Sequence, residues 1–150
     1  VAGDDQAISP LAREGFVLFT GKAGCADCHS GWRFTDDTFH DVGLPAPEDT
    51  GRYRFSREPG DRFAFKTPGL RNLASRAPYM HNGSMNTLDA VIRHYNGNWL
   101  QRPTLSPLLR DPHLSEDDIT ALLSFLDSLN SDGGTQVPDT ATHTPQGGKP

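Results

Sequence analysis

The chain has 150 residues, 35% of them hydrophobic, and a formal net charge of -5 at pH 7. That length supports one compact domain with a core of its own, and the acidic balance excludes a general nucleic-acid binder. No apolar run approaches the ~20 residues needed to span a bilayer, and two cysteines, Cys25 and Cys28, exclude a disulfide framework.

Val1 to Ser9 read as neither a signal peptide nor an anchor; export would place signal removal before this numbering begins. Ser9 before Pro10 has the pattern of an N-cap with proline in the first turn. Leu11, Gly15, Leu18 and Phe19 follow at roughly helical spacing, and Gly21 and Gly24 stop this helix before the cysteines. Residues 30–68 are rich in Gly, Pro, Asp and Arg without a sustained period, which predicts a long folded loop with a short hairpin. So long a loop in a compact domain is functional or wrapped around something.

A second helix is expected from Asn86 or Thr87 to about Asn96, with Leu88, Val91, Ile92 and Tyr95 on one face. Ser115 and Asp118 make a capping-box pattern, the shorter Asp replacing the usual Glu. Ile119, Leu122, Leu123, Leu126 and Leu129 then keep an apolar stripe, and Gly133 reads as its stop. Residues 1–134 are expected to form one domain and residues 135–150 a flexible tail.

Charge is unevenly spread. Residues 1–50 carry a net -6, residues 51–76 a net +5 from seven basic and two acidic side chains, and residues 77–150 a net -4. The basic segment is either a solvated loop or a surface that neutralises carboxylates and steers an acidic partner.

Residues 25–29 read C-A-D-C-H, the attachment signature of a c-type haem. Two thiols add to the two vinyl groups on one porphyrin edge, and a two-residue spacer lets both sulfurs reach that edge from one turn. His29 then offers an imidazole nitrogen to the iron, and its other ring nitrogen needs an orienting acceptor, for which a carbonyl near Leu44-Pro45 is a candidate. A zinc site needs a second Cys pair or a convincing His pair, and His40, His81, His94, His113 and His143 are scattered without such spacing. A redox C-x-x-C belongs in alternating strands and helices, which the pattern here lacks. Haem attachment occurs outside the reducing cytosol, so the expected compartment is the bacterial periplasm.

Beyond this motif, the chain carries F-H-D-V-G-L-P at 39–45, F-K-T-P-G-L-R-N-L at 65–73, A-P-Y-M-H-N-G-S at 77–84 and T-L-D-A-V-I-R-H-Y at 87–95. In this order they resemble the C-terminal haem domain of the bacterial di-haem cytochrome c peroxidases and MauG, from about Ser9 to Leu129. The resemblance implies a mostly α, cytochrome c-like domain of about four helices around one haem, enlarged by the loop at 30–68. Family enzymes carry two haem motifs in two domains; this chain has one and lacks the peroxide-binding half. Arg76 stands where a Thr is usual near the family's calcium site, so no calcium is expected.

The resemblance places Tyr95 in the distal-ligand slot, which holds Met in the peroxidases and Tyr in MauG. Met80 is the main rival, with Met85, His81 and His94 also in reach of the question; His94 reads as off the shared face and exposed. Arg71 matches the Arg of the family's L-R-N block and is a candidate partner for a haem propionate. Trp32 and Trp99 are either packing residues or neighbours of the haem. The expected function is one-electron transfer in the periplasm with a redox partner protein, a separate second haem-domain chain among the candidates. The alternative is a haem enzyme that reacts with hydrogen peroxide.

Overall fold

The computed structural model describes residues 7–45 and 47–131. Four helices, α1 (Pro10–Thr20), α2 (Tyr53–Ser56), α3 (Leu88–Tyr95) and α4 (Glu116–Asp127), and two short strands, β1 (Phe39–His40) and β2 (Phe65–Lys66), make up the regular structure, with three 3-10 turns between them. The fold is mostly α, as the sequence implies.

Local chemistry sets where the helices begin. Ser9 Oγ accepts the Ala12 amide at 3.1 Å, and Pro10 takes the first helical position of α1. Thr87 Oγ1 accepts the Ala90 amide at 3.1 Å and opens α3. The capping box of α4 is complete: Ser115 Oγ accepts from Asp118 N at 3.2 Å, and Asp118 Oδ2 accepts from Ser115 N at 2.9 Å. α4 ends at Asp127 with Ser128 as its C-cap, short of the expected stop. Gly133 and the tail expected at 135–150 lie outside the described residues.

α1 and α4 pack along each other. Their approach is close enough that a Cβ at Gly15 would meet the Ala121 carbonyl oxygen at 2.0 Å. Phe19, Leu70, Leu73, Ile92, Ile119, Leu122, Phe125 and Leu126 form the buried core, with Cys25, Ala26, Phe34 and Tyr79 packed against it. Burying each such Leu or Phe contributes about 1.5–3 kcal/mol. The rings of Phe19 and Phe34 sit 5.1 Å and 6.0 Å from that of Phe125, so the helix pair reaches the residue that follows the cysteine turn.

The hairpin expected in residues 30–68 is a two-residue antiparallel ladder, with Phe39 opposite Lys66 and His40 opposite Phe65. Its long connection carries α2 and the turn at Pro59–Asp61. Asp41 anchors it: at 2% exposure its carboxylate accepts from Arg102 Nε at 2.6 Å, Thr104 Oγ1 at 2.8 Å and the Gly43 amide at 2.9 Å. A buried charge is tolerable only when paired and hydrogen-bonded in this way.

Candidate haem-binding site

Gly24, at φ 66°, turns the chain out of α1 and into the 3-10 turn Cys25–Asp27. The amides of Cys28 and His29 both donate to the Cys25 carbonyl, at 3.3 and 2.8 Å, so the motif winds one turn and places both free thiols on it. Burial pushes the Cys25 thiol up to about 12 and the Cys28 thiol up to about 11. Both therefore stay protonated, the opposite of the stabilised thiolate that a dithiol redox site needs.

His29 Nδ1–H donates to the Phe34 carbonyl at 2.9 Å. Burial lowers the basicity of the ring, so it is neutral with its lone pair on Nε2, the form in which imidazole binds a metal. The acceptor expected near Leu44-Pro45 is thus Phe34 instead. Its φ of 56° turns the carbonyl inward, a backbone feature that composition does not reveal. The Leu44 carbonyl is taken by Arg102 Nη1 at 3.2 Å.

Tyr95 ends α3, half-buried, with its phenol pushed up by burial first and then by Cys28 and Cys25. His94, expected on the outside, is 4% exposed, and its Nε2–H donates to the Val42 carbonyl at 2.7 Å. It reaches Val42 because the 41–44 segment folds across this face of α3, a tertiary contact invisible to helical periodicity.

Met80 is half-buried at φ 69° in a turn closed by the Tyr79–Met85 bridge; Met85 is half-buried too. The His81 ring stacks on Phe65 with centroids 3.4 Å apart. Arg71 is exposed; its Nε donates to the Trp32 carbonyl at 2.7 Å and its guanidinium lies 5.5 Å from the Phe34 ring centroid. Trp32 itself is 75% exposed.

One pairing escaped the sequence reading. His40 Nε2 meets Asp36 Oδ2 at 2.7 Å, and the ligating atoms of Cys28, Asp36 and His40 lie within 4.8 Å of one another. Although burial works against it, hydrogen bonds from His40 and Thr38 hold the Asp36 carboxyl well below the usual carboxylate range. The i, i+4 spacing of Asp36 and His40, next to the F-H-D block, was the available signal.

The residues fit a covalently held haem. They supply two unpaired thiols and, one residue on, a neutral imidazole with a lone pair on Nε2. Away from that turn, Trp99 Nε1 is the one buried side-chain N or O atom without a partner among the described residues. Gly43 seats this indole, because a Cβ there would come within 2.7 Å of Trp99 Cβ. A haem carboxylate is an acceptor such an N–H lacks within the protein.

The cytochrome c family model matches residues 12–130, and the chain belongs to the cytochrome c family, whose members hold haem c through thioethers. Within that class it is related to MauG and the cytochrome c peroxidases. It is 48% identical to the methylamine utilization protein MauG of Methylorubrum extorquens over 132 residues, 87% of this chain and 37% of that protein. It is 34% identical to the cytochrome-c peroxidase IdrP2 of Denitromonas iodatirespirans, covering 87% of this chain and 42% of that one. Among solved structures, a MauG-like protein associated with microbial copper homeostasis superposes with a TM-score of 0.74 at 28% identity, over 82% of this chain and 47% of that chain. The chain therefore spans about two-fifths of the length of these curated relatives, as a partial haem domain of that group. Among the described residues no helix is long and apolar enough to cross a membrane.

Proposed function

We propose that this chain is a one-haem, one-electron redox domain of the bacterial periplasm, its haem c bonded through Cys25 and Cys28 with His29 and Tyr95 as the axial donors. The observation that carries this reading is the turn that sets both thiols beside His29, whose ring the Phe34 carbonyl holds in the metal-binding tautomer; Tyr95 is supported by the resemblance of residues 87–95 to the ligand slot of the MauG relatives. Haem c supplies reversible one-electron chemistry at iron, at a potential set by the axial donors and by burial.

The protein's own groups prepare for that role. The Phe34 carbonyl keeps the proton of His29 on Nδ1 and leaves Nε2 as the donor atom. Burial holds the proton on Tyr95 unless a positive charge stands beside it, so the phenol becomes a strong anionic donor only next to ferric iron. The unpartnered Trp99 N–H offers a hydrogen bond to a haem carboxylate. Arg71 remains a second candidate for that contact, on the exposed side. The domain takes in residues 1–134, and its partner is another redox protein, a separate chain with a second haem domain among the candidates.

A second reading is favoured by the relatives that are named cytochrome-c peroxidases. Reaction with peroxide requires that Tyr95 give up its place and that an acid/base group stand nearby.

The electronic and EPR spectra of the ferric protein test the ligand set. Tyr95→Phe should convert the ferric spectrum to that of a haem with an open or water-filled sixth site and raise the midpoint potential. Met80→Leu should leave both unchanged. A methionine–iron charge-transfer band that vanishes in Met80→Leu and survives in Tyr95→Phe overturns the assignment.

A further inference from the structure

Around the β1–β2 ladder the surface changes character. Phe39, Phe55 and Phe65 line a groove of about 700 Å³ whose other walls include Arg52, Arg54 and Lys66. Phe55, on α2, is 87% exposed and adds nothing to the core. An aromatic centre with a charged rim is the anatomy of a protein-binding surface rather than of a solvated loop.

The charged lining of this surface is mostly basic, Arg52, Arg54 and Lys66 against Asp49. Residues 51–76 hold seven basic and two acidic side chains, against a net -6 before them and -4 after them. Arg52 is bonded to Asp61 at 3.0 Å and Lys66 to Asp37 at 2.5 Å, while Arg54 has no carboxylate partner among the described residues. The groove also borders the candidate haem site. Phe39 is followed by His40, which with Asp36 lies against Cys28, the ligating atoms within 4.8 Å of one another.

We propose that this groove docks an acidic one-electron carrier protein. An apolar side chain of the partner seats on Phe55, and its carboxylates face Arg52, Arg54 and Lys66. Charge complementarity selects that partner and orients it, and the ladder on which it sits continues from Phe39 to His40, beside Cys28. The inference rests on the redox reading above and names the chemistry of the partner that reading requires.

The test uses the haem-loaded full chain with plastocyanin, a small acidic copper protein, as probe, and mitochondrial cytochrome c as the basic contrast. Amide shifts on titration with copper(I) plastocyanin should centre on Phe55 and Arg54, and binding should weaken as salt rises. Phe55→Ser and Arg54→Glu should each weaken binding about tenfold, with the haem spectrum unchanged. Shifts centred elsewhere, undiminished binding in both variants, tighter binding of the basic protein, or a dimer that Phe55→Ser dissolves would overturn the proposal.

A separate mix of ferrous chain with copper(II) plastocyanin reads electron transfer. One electron passes from iron to copper, with no bond or proton moved. Groove binding without haem oxidation upholds the docking site and overturns the redox reading. Oxidation without groove binding does the reverse.

Discussion

Between α1 and α4 the contacts are apolar and mutual, and the helices meet at a glycine because nothing larger fits. Residues 30–68 are ordered by another means. There the two-residue ladder is short, and Asp41, Asp36 and Thr35 hold the chain through individual hydrogen bonds to Arg102, His40 and the Thr67 carbonyl. The first region is specified by shape and the second by particular polar partners. Shape-based order survives the loss of any one hydrogen bond, whereas partner-based order depends on each.

Cofactor attachment gives the largest test of that contrast. Cys25→Ala and Cys28→Ala should abolish or greatly reduce haem staining after denaturing electrophoresis. In whatever folds, amide exchange should accelerate far more across residues 30–68 than within α1 and α4. Equal acceleration in both regions would erase the distinction.

Next in size is Asp41→Asn, which keeps the shape and removes the charge opposite Arg102 in a pair whose side chains are 0% and 17% exposed. Breaking such a pair from one side costs about 3–5 kcal/mol, read from urea melts, and the loss should be felt first at residues 41–44. Gly15→Ala probes the other region. Its new methyl would press on the Ala121 carbonyl, an overpacking worth about 1–3 kcal/mol, with the loop's exchange rates little altered.

The smallest effect is an acid titration at the start of α4. The Lys22 ammonium, and then the Ser115 amide, hold the Asp118 carboxyl at about 2, below the ordinary value of 3.8. Its folded value lies below its unfolded one, so its contribution is complete above the unfolded value and fades as pH falls from 3.8 through about 2. Asp118→Asn should cost about 1 kcal/mol at neutral pH, the scale of a lost cap. The difference between variant and parent should close by the bottom of that window.

Much of the helical half was legible in the sequence because its signals are local. Ser9–Pro10, Thr87 and Ser115–Asp118 mark helix starts by chemistry confined to a few neighbouring residues, and the stripe of α4 follows from period alone. The cysteine turn was legible for the same reason. The second half of the site was not. His94 is buried because a segment some fifty residues earlier crosses α3 at Val42, and the acceptor for His29 is Phe34 because of a left-handed backbone angle. Asp36 and His40 come together at Cys28 only through the tertiary fold. None of these leaves a trace in spacing along one element. Only the resemblance of residues 87–95 to the related haem domains pointed at Tyr95.

Phe34 joins the two regions in a way that reaches beyond packing. Its ring belongs to the aromatic cluster with Phe19 and Phe125, and its carbonyl holds the imidazole of His29. Both ends belong to one residue, so Phe34 couples the packed interior to the orientation of the His29 ring. A close-packed interior passes small displacements along instead of absorbing them. A core substitution that shifts the cluster should therefore be felt at the His29 ring as well as in the melting temperature. In a haem-loaded chain ligated by His29, the visible spectrum would then report on the packing of its interior.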